Sequence, residues 1–418
     1  METLKRILRT KEIRNALLFL VFVVIVFRVA AHVPVPGIDA TALSALLAGN
    51  QFLGLLNMFS GGTLGNFSIV ALGVSPYITS SIIFQLFGMI FPSIEELQKE
   101  EQGRQRMNRW MRVATVPLAF LQAFGVLKLL ESSAVTGAVM NGWAFVIAML
   151  SMTAGTVFLM WLGELATERK MGNGISLLIF AGIMAGLPSM LAQMLATYTS
   201  AEALNLVLFG VLTVVTIVGV VVVSEGQRNI PVQYARGGAQ ASGKIQSSLP
   251  LRLNIGGMIP IIFALSMVAL PPLMAQFFLQ ARTEVLRTAA EWIIVTFQNN
   301  TFYAALYFIL VFAFTFFYAS IVFRPDQIAE NLQKQGGFIP GVRPGEQTMK
   351  YLQWVMNRLL LSGAFFLGTI AVLPNIVQGI TGNQSLAVGG ASIIIVVSVV
   401  IDIVKQVQSQ LSMRSYDV

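Results

Sequence analysis

Apolar runs long enough to cross a bilayer recur along the whole chain, separated by short polar segments. They fall at about 16–33, 75–91, 113–130, 143–162, 175–195, 204–223, 256–275, 302–323, 353–373 and 386–404. A spanning helix needs about 20 mostly apolar residues to cross roughly 30 Å of hydrocarbon. The pattern therefore predicts ten membrane-spanning helices in an all-α membrane protein. One stretch departs from it. From Gly54 to Pro92 the chain is apolar, yet Gly61, Gly62, Gly65 and Gly73 interrupt its first half, with Ser60, Asn66 and Ser68 between them. Irregular backbone at membrane depth survives only where protein buries it or where it lines a water-filled cavity. A broken half-segment leading into a full span, from about Ser75 to Phe91, points to a pore or a binding cavity.

Composition agrees with this reading. Of 418 residues, 56% are hydrophobic and 11% charged, against about 25% charged in a soluble domain. The chain has no cysteine and a single histidine, His32, so disulfides, thiolate metal sites, zinc and Ser-His-Asp chemistry lack their usual parts. The net charge of +8 has a pattern that the positive-inside rule explains. With the N-terminus in the cytoplasm, the expected cytoplasmic segments carry 22 of the 27 Lys and Arg, and the outer segments hold only Arg282 and Arg287. Both termini are thus expected in the cytoplasm, and the basic character belongs to a membrane face rather than to DNA binding. Ten spans divide into two halves, 1–200 and 201–418. A five-span half ends on the side opposite its start, so the second half enters inverted, an arrangement that commonly encloses a midplane site.

The basic first 15 residues and the run that follows resemble a signal peptide, with Val29-Ala30-Ala31 as a cleavage site; the segment is expected to be retained as the first span. Arg28, near the outer end of that span, either snorkels to the interface or faces a polar cavity. Two cytoplasmic loops, 224–255 and 324–352, are long and rich in Gly, Pro and basic residues. Loops of this length are usually functional or disordered, and their charge suits docking of an acidic partner. Gly238 to Lys244 matches most of a phosphate-binding loop, but Ile245 stands where Ser or Thr should hold Mg²⁺ and no strand precedes it. Gly182-x-x-x-Gly186 is the small-residue motif of close helix packing. Sequons at Asn66, Asn299 and Asn383 fall on the outer side. Carboxylates that could couple transport to ions are few, Glu164 and Asp402 both lying near cytoplasmic span ends. Polar groups inside the spans are instead Thr79, Ser80, Ser81, Gln85 and Ser266, weak lateral glue worth about 0.6 kcal/mol each. The residues leave open a protein-conducting channel, a secondary transporter with a broken-helix site at 54–75, and a membrane assembly factor.

Six motifs narrow the choice. SPYITSSIIFQL, GNGISLLIFAGI, GQRNIPVQYA, GMIPIIFA, GFIPGVRPGEQT and GGASIIIVV resemble the bacterial-type SecY family, in order and across nearly the whole chain. The resemblance implies two inverted five-helix halves around a central pore, with a short re-entrant plug helix. It implies a pore-forming subunit that passes unfolded, signal-bearing polypeptides and releases apolar segments sideways into lipid. It further implies a pore ring at Ile78, Ile82, Ile175, Ile179, Ile262 and Ile395. The plug falls at about 57–67, including Ser60, Gly61, Gly62, Thr63, Leu64, Gly65, Asn66 and Phe67. A lateral gate between the second and third and the seventh and eighth spans places Thr79, Ser80, Gln85 and Ser266 at its edges. Arg236 and Arg343 fall on docking positions; Gly237 stands where many members have a second basic residue. The implied partners are SecE-type and SecG-type small subunits, the SecA ATPase and the ribosome, in a bacterial plasma membrane, with no cofactor and no catalytic residues.

Overall fold

The computed structural model describes residues 10–35, 57, 60, 62–91, 93–94, 97, 100–132, 142–169, 172–196, 203–234, 247–279, 283–381 and 384–415. A helix coincides with each of the ten apolar runs: α1 (Lys11–Ala30), α2 (Ser75–Ile90), α3 (Glu101–Ser132), α4 (Gly142–Glu168), α5 (Gly174–Ala196), α6 (Ala203–Glu225), α7 (Ile259–Phe278), α9 (Asn300–Val322), α11 (Glu346–Thr381) and α12 (Gln384–Ser415). Two further helices, α8 (Glu284–Gln298) and α10 (Pro325–Lys334), lie in the connections. In hydrocarbon a backbone must satisfy its own polar groups, which is why apolar runs resolve into helices. Among the described residues, six of these helices are long and apolar enough to cross a membrane, and the chain is a multi-pass membrane protein. Helix starts are locally encoded. Pro76 opens α2 and Pro260 opens α7, where a missing N–H costs nothing. The Asn299 side chain accepts from the Thr301 and Phe302 amides and caps α9; this sequon asparagine therefore has a structural task.

The helices pack within two groups, α2 on α3, α3 on α4 and α4 on α5 in the first, then α7 on α9, α9 on α11 and α6 on α12 in the second. The groups meet where α2 and α3 touch α7 and where α5 touches α12. One large apolar cluster draws on both groups, from Ile13 and Phe27 of α1 to Ile395 and Val399 of α12. A second is confined to residues 35–72, α3 and α4. At Gly186, the second glycine of Gly182-x-x-x-Gly186, a Cβ would meet open space; α5 makes a close backbone approach at its first residue, Gly174.

The described parts of the two long basic loops form one built unit. β1 (Gln227–Tyr234) pairs antiparallel with β2 (Ser247–Arg252), register Ile230 to Leu249, and with β3 (Gly337–Phe338), register Tyr234 to Gly337. Sheet order is β2-β1-β3. Ile230 and Val232, two apart and so on one face of β1, enter a third cluster with Leu251, Leu332 of α10, Ile339 and Leu352 of α11. The pairing of β1 with β3 joins one loop to the other, and Gly337 sits under Tyr234, where a Cβ would stand 2.9 Å from the ring. Replacing Gly337 with Val should part β3 from β1. Limited proteolysis within 335–345 is expected to quicken several-fold while the melting temperature of the helical body stays put; unchanged cleavage would mean that this turn does not depend on the pairing.

Candidate functional site

The six isoleucines singled out in the sequence stand on four helices, Ile78 and Ile82 on α2, Ile175 and Ile179 on α5, Ile262 on α7 and Ile395 on α12. All six fall in the large apolar cluster that both helix groups share, at 0–9% exposure. Ile78 with Ile82 and Ile175 with Ile179 are i, i+4 pairs, so each pair shares one helix face. On the side of the sheet opens a cavity of about 990 Å³. Ile78, Ile175, Ile179 and Ile262 form part of its lining; Ile82 and Ile395 are buried in the same cluster without reaching it. Its polar walls come from Gln85, Arg104, Arg112, Glu164, Asn173, Arg324 and Asn331. Arg112 Nε lies 2.6 Å from Glu164 Oε1 and ties α3 to α4 along that wall. With both groups partly exposed, the pair is worth no more than about 1 kcal/mol. The cavity thus has charged and amide side chains on part of its wall and buried isoleucines on another.

Residues 60–74 are turns rather than helix where described. Their polar backbone is satisfied locally. Asn57 accepts from the Gly62 amide through its carbonyl and from the Gly65 amide through Oδ1, at 2.7 and 2.9 Å. Ser60 Oγ donates to the Asn57 carbonyl and accepts from the Leu64 amide. Thr63, wholly buried, is the hub: its hydroxyl lies 2.8 Å from both the Ser60 and Val70 carbonyl oxygens. Leu64 and Phe67 are buried against Val126, Leu127 and Leu130 of α3 and Met149 and Met152 of α4, while Asn66 is exposed and Gly61 lies outside the described residues. Phe67 has φ +41°, a left-handed conformation that costs a non-glycine residue roughly 1–2 kcal/mol. The segment is anchored to the end of α1, where the Val35 amide donates to the Phe67 carbonyl and the Ile69 amide to the Val33 carbonyl.

Thr79 and Ser80 of α2 and Ser266 of α7 are buried, and α2 touches α7. The hydrogen bonds of this set stay on one side of that contact: Ser80 Oγ donates to the Met111 carbonyl of α3 at 2.8 Å, and Gln85 Nε2 to Ser81 Oγ at 2.8 Å. Arg343 is exposed at the tip of a turn between Gly341 and Gly345, both at positive φ, and its carbonyl accepts from Thr348 Oγ1. Arg236, Gly237 and the segment 238–244 lie outside the described residues, as does Asn383. The sheet behind Arg343 was missed by sequence reasoning, although the alternation in QRNIPVQY carried the signal.

The matches to known proteins converge. The SecY family model matches residues 68–404. The protein translocase subunit SecY of Corynebacterium glutamicum is 40% identical over 97% of this chain and 97% of its own length. A structure concerned with the plug domain of the SecY protein aligns with a TM-score of 0.64 at 18% identity, covering 94% of this chain and 91% of its own. Sec61 in the canine ribosome-channel complex aligns with a TM-score of 0.62 at 17% identity, with the same coverages. These two likenesses concern the fold. The family model spans most of the chain and the bacterial relative spans nearly all of it, so the chain belongs to the SecY family of protein translocase subunits.

Proposed function

We propose that this chain forms the pore through which unfolded, signal-bearing polypeptides cross a bacterial plasma membrane, closed at rest by the isoleucine ring and by residues 57–67 as a plug. One observation carries the reading: six isoleucines from four helices are buried in one apolar cluster, and four of them, Ile78, Ile175, Ile179 and Ile262, line a cavity of about 990 Å³ whose walls mix polar and apolar side chains. An apolar ring suits a moving chain because it makes no directional bond to it, so any side chain can pass and the ring can close again behind it. The meeting line of α2 and α7 is the lateral exit into lipid; the side-chain bonds of Ser80 and Gln85 do not cross it, which supports separability. The sheet face is cytoplasmic on this reading, in keeping with 22 of 27 basic residues. The halves 1–200 and 201–418 are the two inverted units that hinge around the pore. A SecE-type clamp and a SecG-type subunit complete the complex, and SecA or the ribosome docks on the unit that carries Arg236 and Arg343.

Replacing Ile82 and Ile179 together with Ser should raise the resting ion conductance of the reconstituted complex in a planar bilayer by about tenfold or more, because hydroxyls let water persist in the ring. A conductance at baseline would remove the ring reading. Arg343→Glu is expected to abolish SecA-driven translocation into vesicles while leaving the complex assembled; normal translocation would deny this residue its docking role. Thr63→Val removes, at equal size, the one hydroxyl proton that the Ser60 and Val70 carbonyls share, a loss of roughly 1–3 kcal/mol. Amide exchange across 62–70 should quicken and the closed channel become less populated; retained protection with unchanged closure would argue against residues 57–67 as the plug.

A further inference from the structure

Helix α4 contributes none of the six isoleucines and none of residues 57–67, yet both rest on it. Near its end on the sheet side, Gly163 faces Ile175. A Cβ at 163 would stand 2.5 Å from Ile175 Cδ1 and 3.3 Å from its Cγ1. Carbon atoms in good contact lie about 3.5–4.0 Å apart, so the Ile175 side chain fills the space that a methyl group at 163 would need. Hydrogen bonds hold this seat together. Thr167 Oγ1 donates to the Gly163 carbonyl and accepts from the Gly174 amide, each at 2.9 Å. Asn173 Oδ1 accepts from the Ile175 amide at 3.0 Å. A Cβ on Gly174 would overlap the Gly163 carbonyl oxygen, so the two backbones touch directly.

Eight residues earlier, buried Gly155 makes a second seat. A Cβ there would overlap the Ile69 carbonyl oxygen and stand 3.2 Å from Val70 Cγ1. Ile69 and Val70 are the stretch from which residues 60–67 are held, since Thr63 bonds to the Val70 carbonyl. The apolar clusters divide along α4 in the same way. Met149 and Met152 belong with Leu64 and Phe67, whereas Leu159 and Leu162 belong with the isoleucines. We infer that α4 is the common template of both closures: Gly163 sets the position of Ile175 in the ring, and Gly155 sets the backbone at Ile69–Val70 that carries the plug. Gly163 and Gly155 are positioning residues, and the inference rests on the reading of ring and plug given above.

The test is resting ion conductance of the full complex in planar bilayers, with Ile179→Ser alongside. Gly163→Ala should raise the leak several-fold, because the new methyl displaces Ile175. Adding Ile175→Val, which removes the Cδ1 methyl, should return the leak close to the parent value. A silent Gly163→Ala beside a leaky Ile179→Ser overturns the seat and leaves the ring standing; silence from both removes the ring itself. A leak that Ile175→Val does not correct also overturns the seat. Should Gly163→Ala fail to accumulate, Ile175→Val alone empties the notch and is expected to leak, and a silent result there counts against the inference. The second seat has its own readout. The chain has no cysteine, so Leu64→Cys, at a position 3% exposed, gives a single buried thiol. Gly155→Ala should speed its labelling by a water-soluble maleimide about tenfold, and an unchanged rate would overturn the role of Gly155.

Discussion

Hydrocarbon does not supply hydrogen bonds, and the segment 60–74 leaves the helical conformation that would otherwise supply them internally. Everything distinctive about this molecule follows from meeting that constraint. Asn57, Ser60 and Thr63 act as substitutes for helical partners, and the end of α1 contributes the Val33 carbonyl and the Val35 amide. An orphaned buried polar group costs about 1–3 kcal/mol. Local satisfaction by short polar side chains therefore decides whether a non-helical element can exist at this depth.

On the proposed reading, the two closures rely on different physics. Among the isoleucines the attraction is apolar and without direction, and at roughly 1.5–3 kcal/mol per buried side chain it is indifferent to small changes of angle. The plug depends on named bonds with fixed geometry and contains Phe67 at φ +41°. The cost of that conformation, roughly 1–2 kcal/mol, is comparable with the net worth of one or two hydrogen bonds. Burial of Leu64 and Phe67 against α3 and α4 offsets it. A tolerant seal backed by a bonded stopper suits a pore that must open for many unrelated sequences.

Much of this was legible in the sequence. The ten helices could be read because apolar length alone dictates a span, and the break at 54–74 because glycines and small polar residues cannot belong to a plain one. The proposed isoleucine ring has no signature in the pattern: Ile78 and Ile82 share a face, but so do many i, i+4 pairs in a chain this apolar, and only the family resemblance selected them. The sheet was hidden because Pro231 and the basic residues around it made the loop look irregular, although Ile230 and Val232 alternate correctly. Gly155 and Gly163 were invisible for another reason. A glycine's significance lies in what presses against it, here Ile69 and Ile175 from other elements, and no local signal reports that.

The short link between β2 and α7 has a mechanical meaning. Only residues 253–258 separate them, and the Leu253 amide donates to the Gly226 carbonyl at 2.9 Å. From the other side, Gly363 of α11 lies so close that a Cβ there would stand 2.6 Å from the Leu253 carbonyl oxygen. Helix α7 is thus on a short leash whose fixed end is the sheet that also holds the Arg343 turn. Moving the start of α7 away from the sheet would have to break the Leu253–Gly226 bond, open the Leu253–Gly363 approach or stretch residues 253–258. The near end of α7 is therefore registered to the sheet and to α11 at a single residue, Leu253, while its far end has no such tie through this link.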